Sequence, residues 1–243
     1  MDPSAQICVA GHPVFAVTLW QAHTRSHVTS HQPIGSIASL NASLTVAVFD
    51  ARSATDWTPS KPAATKAQFT GHPAQILRGL SKGDDVTPID VGPSSGYAFE
   101  LEGSSGRLDV YRIADDTLAL IAPPRAWWLD AAHHADHPAE VDALFLELTG
   151  PGGVADADVV GEFDLASGKL AAVYLWHKKV GAARDLADTV PTGGALAFGD
   201  GYGTSNAGLI IDVGPGRYHL LRRELAAPWA DQALVVMYFV REA

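Results

Sequence analysis

The chain has 243 residues, 47% of them hydrophobic and 18% charged, which supplies apolar surface for a real core and excludes a disordered chain. Its 17 basic residues against 27 acidic ones leave a net charge of −10, a balance that opposes a phosphate backbone and predicts no nucleic-acid partner. Cys8 is the only cysteine, so neither an internal disulfide nor a multi-cysteine metal site can form.

The opening stretch, MDPSAQICVAGHPVF, lacks the basic start and longer apolar run of a secretory signal, and nowhere do about 18 consecutive apolar residues occur. The expectation is a cytoplasmic protein without membrane contact. PVFAVTLW, from Pro13, is apolar on both faces and predicts a central strand. Next come His23, His27 and His31, four residues apart, with His12 upstream. A helix would stack the three in one stripe, but HTRSHVTSHQP has the Ser and Thr content of a loop or edge strand. In a strand they would span about 26 Å, too far for one ion.

SLTVAVFDAR alternates as a strand, with Leu44, Val46 and Val48 on one face. Pro73 to Leu80 predicts a short helix, Pro73 in its first turn and Ile76, Leu77 and Leu80 on one side. IDVGPSSGYAFEL, from Ile89, reads as a strand, a Gly-Pro turn and a second strand that buries Tyr97, Phe99 and Leu101. Gly92 to Gly96 formally fits G-x-S-x-G with Ser94 as nucleophile. That elbow needs a helix after the turn, and here a strand follows. RLDVYRIADDTLALI adds another strand pair, and Pro123-Pro124 interrupts the chain.

Ala126 to His134 predicts one more short element, beginning at Trp127-Trp128, which cannot both point inward from an extended segment. HHADH follows. His133, His134, Asp136 and His137, with Glu140 close behind, are the residue types that ligate zinc or non-haem iron. As a helix, His133 and His137 would share a face, but Pro138 disfavours helix at His137, and no H-E-x-x-H pattern supplies a general base. A solvated loop is the competing reading.

DALFLELTG predicts a strand with Leu144, Leu146 and Leu148 on one face. FDLASGKLAAVYL predicts a β-hairpin turning on Ala166-Ser167-Gly168, with Leu170, Ala172, Tyr174 and Trp176 together. Asp156, Asp158 and Asp164 lack the spacing of a calcium loop. GDGYGTSNAG, from Gly199, precedes a strand rather than a helix, so it reads as a hairpin loop and not a phosphate cradle. IDVGPGRYHL then repeats the pentapeptide at Ile211, about half a chain length after the first, again with a tyrosine behind it. ALVVMYFV, near the end, is apolar on both faces and predicts a second central strand.

These elements predict a mainly-β protein with few short helices. The repeated pentapeptide suggests internal duplication into two related halves of β-sandwich or barrel type, residues 1–123 and 124–243, packed with a seam between them or as one continuous domain. The function expected is a non-catalytic, acidic binding protein that engages another protein through its seam or a sheet edge, an inhibitor or immunity protein against a toxin being one concrete version. A metal-dependent enzyme or small-molecule binder using His133, His134, Asp136 and His137 is the first alternative, a structural or assembly role the second. The residues point to no cofactor and leave the oligomeric state open.

Overall fold

The structure is a computed structural model, and it describes residues 33–38, 44–60, 68–81, 85–101, 107–122, 143, 146–149, 153–176, 180–199, 208–226 and 233–242. Strands β1 (Gly35–Ala38) and β2 (Leu44–Asp50) lead into a 3-10 helix (Ala51–Asp56) and helix α1 (Gly71–Leu80). Strands β3 (Val86–Val91), β4 (Ser94–Leu101), β5 (Arg107–Ala114) and β6 (Thr117–Ala122) follow. Beyond a helical stretch at 146–149 come β7 (Asp158–Leu165), β8 (Lys169–Tyr174) and helix α2 (Ala182–Ala187). Strands β9 (Ala195–Phe198), β10 (Gly208–Asp212), β11 (Gly216–Ala226) and β12 (Ala233–Arg241) complete the order.

Two six-stranded antiparallel sheets result, one ordered β1-β5-β6-β12-β11-β7 and the other β3-β4-β2-β8-β10-β9. The protein is mainly β, sandwich-like, with few short helices, as its alternation predicts. The main core lies between the sheets, where Val46, Phe99 and Leu209 of the second meet Leu120, Phe163 and Phe239 of the first. Ala47, Phe49 and Val173, on the outer face of the second sheet, lie under Ala54, Ile76 and Ala183 of the helices. On the outer face of the first sheet, Tyr111, Ile121 and Tyr238 pack with Leu148. Both sheets are therefore covered on both sides, which is why β2 and β12 bury consecutive side chains rather than alternate ones.

Each sheet takes three strands from before Ala122 and three from after it, and strands of one half pack on strands of the other across the core, β1 on β9 and β10, β4 on β7. Exchanging every strand for the one six places later leaves both strand orders unchanged. Register follows the same rule. Ala119 opposite Tyr238 and Val48 opposite Ala172 mark the centres of the two sheets. The pair Gly35 and Val110 corresponds to Gly161 and Leu220, and the pair Pro88 and Tyr97 to Ala197 and Leu209. This correspondence of topology and register lays GYAFEL from Gly96 on GLIIDV from Gly208, and RLDVYR from Arg107 on RYHLLR from Arg217.

The two IDVGP stretches are not partners in that correspondence, contrary to the expectation drawn from their repetition. Ile89–Pro93 ends β3 and turns, through Gly92 at φ 58°, into β4 of the same sheet. Ile211–Pro215 ends β10 and carries the chain, through Gly214 at φ 81°, into β11 of the other sheet. Identical turn chemistry serves a hairpin in one place and a crossover in the other.

Two further expectations are corrected. FDLASGKLAAVYL is no hairpin, because β7 and β8 enter different sheets. Its turn is gripped by Asp50, whose buried carboxylate accepts the Ser167 N–H at 2.8 Å and the Ser167 hydroxyl at 2.6 Å while capping the 3-10 helix through the Arg52 N–H at 2.9 Å. Residues 146–149 of DALFLELTG are helical, with Leu148 fully buried and Leu146 55% exposed, where a strand would have put both on one face. The helix expected at Pro73–Leu80 is present, and Ile76 is its fully buried anchor. PVFAVTLW and Ala126–His134 lie outside the described residues.

Candidate functional site

The candidate ligands His133, His134, Asp136 and His137, with Glu140, lie outside the described residues, as do His12, His23, His27 and His31. Among the described residues no group of three or more His, Cys, Asp or Glu side chains is arranged to hold a metal ion, and no helix is long and apolar enough to cross a membrane. Ser94 begins strand β4 with its hydroxyl 2.6 Å from that of Ser53, so it belongs to a hairpin and its neighbour is another serine. The GDGYGTSNAG segment connects β9 and β10, which pair antiparallel as its hairpin reading requires.

The polar groups that the fold does bring together sit where the sheets are braced. Asp212 ends β10, and Lys169 faces it across β8 in register. The Lys169 ammonium donates to the Asp212 carboxylate at 2.7 Å, and the Gly193 N–H donates to its other oxygen at 2.7 Å. From the opposite sheet, the Arg112 guanidinium donates to the Gly193 carbonyl at 3.0 Å and to the Asp212 carbonyl. Burial pushes the Asp212 carboxyl up, but the Lys169 and Gly193 hydrogen bonds, with the Lys169 and Arg112 charges, outweigh it and hold the carboxyl below its ordinary value. The corresponding arginine in the other half, Arg222, reaches the Asp85 carboxylate at 3.2 Å, ahead of β3 as Gly193 is ahead of β9. These are two related cross-braces between the sheets.

Tyr218 makes a third joint. Its hydroxyl lies 2.5 Å from the Val213 carbonyl and 2.8 Å from that of Gly214, closing the crossover as a tyrosine corner does in other β-sandwiches. Burial raises its phenol above the ordinary value. His72, on α1, has both ring nitrogens committed: Nδ1 accepts the Thr58 N–H at 2.7 Å and Nε2–H donates to the Asp90 carbonyl at 2.9 Å. Its ring stacks on Trp57 at 4.9 Å, and Trp57 stacks on Phe49 at 5.6 Å. Trp176 contacts Phe69 edge-on at 4.8 Å and is 36% exposed.

Charge is divided unevenly between these joints and the surface. The adjacent pair Arg222-Arg223 is neutralised within the molecule: Arg223 donates to Glu147 at 2.6 Å and Asp156 at 3.3 Å, and Arg222 pairs with Asp85 and Glu224. Arg217 holds Glu162 at 2.5 Å, which sets that carboxyl below its ordinary value. Asp56, Asp90, Asp115, Asp164 and Asp185, by contrast, stand exposed.

None of the brace residues Arg112, Lys169, Asp212, Arg222 and Tyr218 was identifiable as such from sequence. The Lys169–Asp212 pair becomes visible only when β8 and β10 are known to be neighbours. What fold and joints together define is an antiparallel two-sheet sandwich with helices on its outer faces, pinned by cross-sheet polar contacts. No family model matches the chain, and no curated protein or solved structure matches it significantly.

Proposed function

We propose that this chain is a non-catalytic binding protein whose acidic surface engages a basic protein partner, as an inhibitor or immunity protein against a cationic toxin would. The observation that carries this reading is the division of charge. Lys169, Arg112, Arg217, Arg222 and Arg223 are paired within the molecule, with Asp212, Glu162, Asp85, Glu147 and backbone carbonyls, while further carboxylates face outward. With a net charge of −10, the surplus creates a negative field that speeds and selects encounter with a cationic surface. The continuous β6·β12 and β2·β8 ladders replace the seam between halves with unbroken sheet, so the contact falls on faces, loops or an edge instead.

The test is to immobilise the protein, capture a partner from extract of its source cells at low ionic strength, and titrate the purified pair as salt is raised from about 0.05 to about 0.5 M, where the Debye length shortens severalfold. A basic partner in stoichiometric complex, with a dissociation constant that rises tenfold or more on the order expected for several charge contacts, supports the reading. A complex indifferent to salt, or stoichiometric zinc or iron retained after dialysis with hydrolytic turnover, contradicts it.

A further inference from the structure

Among the described residues each sheet leaves an edge on both sides, and an unpaired edge invites another strand. Three of the four edges are blunted by their own sequence: β1 and β9 are four residues long, and β3 carries Pro88, which has no N–H to offer. Strand β7 is eight residues long and lacks proline, so it needs another device. Its pairing with β11 slips by one residue between Leu220 and Leu221, which bends it. At the centre of the strand a side chain from the other sheet closes it. The Glu162 N–H donates to the Tyr97 hydroxyl at 3.0 Å, and the same hydroxyl donates to the Glu162 carbonyl at 3.1 Å.

One phenol thus satisfies both backbone groups that a neighbouring strand would use at Glu162, the centre of the edge. The approach depends on Gly161, since a Cβ there would lie 2.3 Å from Tyr97 Cζ. Phe163 steadies the ring edge-on at 6.1 Å. Across the internal correspondence the position of Tyr97 is taken by Leu209, which lies against Gly35 but has no hydroxyl, so the device exists on one side only. We propose that Tyr97 is an autoinhibitory latch on the β7 edge, and that the edge it guards fits an extended segment with basic side chains at alternate positions. A strand added there places every second side chain beside a patch where Glu162, Glu242 and the exposed Asp164 lie about the Arg217 guanidinium, so negative charge is in excess even with Glu162 paired to Arg217. The latch stands on geometry alone; the choice of a basic segment rests on the acidic-binder reading above.

The test compares the intact protein with Tyr97→Phe, which keeps the ring and removes only the hydroxyl. Two synthetic eight-residue peptides serve as probes, Thr-Val repeats with lysine or glutamate at alternate positions, and far-ultraviolet dichroism checks that the variant is folded. Losing one hydrogen-bonding partner should speed exchange of the Glu162 amide about fivefold to tenfold and tighten binding of the lysine peptide by a similar factor. The glutamate peptide should bind neither protein. Unchanged exchange at Glu162 in a folded variant overturns the latch. Equal gains for both peptides overturn the basic segment, independently of whether any cellular partner is captured.

Discussion

A tyrosine follows each IDVGP stretch, and the two do different work. Tyr218 pins the β10-to-β11 crossover through the Val213 and Gly214 carbonyls. Tyr218→Phe should therefore cost about 1–2 kcal/mol in denaturant unfolding, the usual loss for a buried hydroxyl whose acceptors go unpaired. Tyr97, half-buried, latches an edge instead, and losing its hydroxyl should alter exchange more than stability. Asp212 makes its own prediction. Folding holds its carboxyl below the ordinary value of 3.8, so the ionised form supports the fold. Its contribution is present above that value and drains away as pH falls through the lower folded one. Asp212→Asn should cost about 1–3 kcal/mol at pH 7, with the gap to the native protein narrowing below about pH 4 in urea unfolding. A gap that held constant to pH 2 would contradict the assignment. The sequence places aromatic anchors after both turns, as the structure confirms, but which carbonyl or strand each phenol meets depends on partners in the other sheet.

Among the strands and helices, periodicity guides well where helix and strand readings of a segment differ and poorly where they coincide. In DALFLELTG, leucines at alternate positions suggest a strand, yet Leu144 and Leu148 are also a helical pair four apart. The Leu, Glu and Ala content favours helix, and that propensity prevails at 146–149. The distinction is measurable. Leu148→Ala should cost about 2–5 kcal/mol, as expected for a leucine emptied from a core, whereas Leu146→Ala should cost under about 0.5 kcal/mol. A strand would make the two losses comparable. FDLASGKLAAVYL shows the other kind of miss. Its turn residues and flanking alternation are those of a hairpin, and nothing local says that Asp50, far back in the chain, holds the turn so that the strands part into two sheets. ALVVMYFV, by contrast, carries its own evidence, because apolar residues on both faces mean cover on both sides; SLTVAVFD reads as alternating, yet Ala47 and Phe49 on its second face are buried too, under the helices.

For the whole molecule, the repeated pentapeptide does not mark equivalent positions, since one copy turns within a sheet and the other crosses between sheets. The residues that correspond, Gly96 with Gly208, Glu100 with Asp212, Arg107 with Arg217 and Arg112 with Arg222, are separated by loops of unequal length that hide the match from a linear reading. The candidate metal ligands of the HHADH stretch fall outside what the structure describes, so the acidic surface and its internal cation partners carry the functional reading. The halves interlock, each completing both sheets of the other along β6·β12 and β2·β8. Cutting the chain in two within residues 123–142 and following the thermal unfolding of each piece and of the mixture tests this interlocking. Each piece alone should show no cooperative transition, because β2, β6, β8 and β12 would all become open edges of apolar sheet. The mixture should recover a single transition with the secondary structure of the intact protein. A piece that unfolds cooperatively by itself, with its midpoint unmoved by the other, would contradict the interlocked sandwich and make each half a unit of its own.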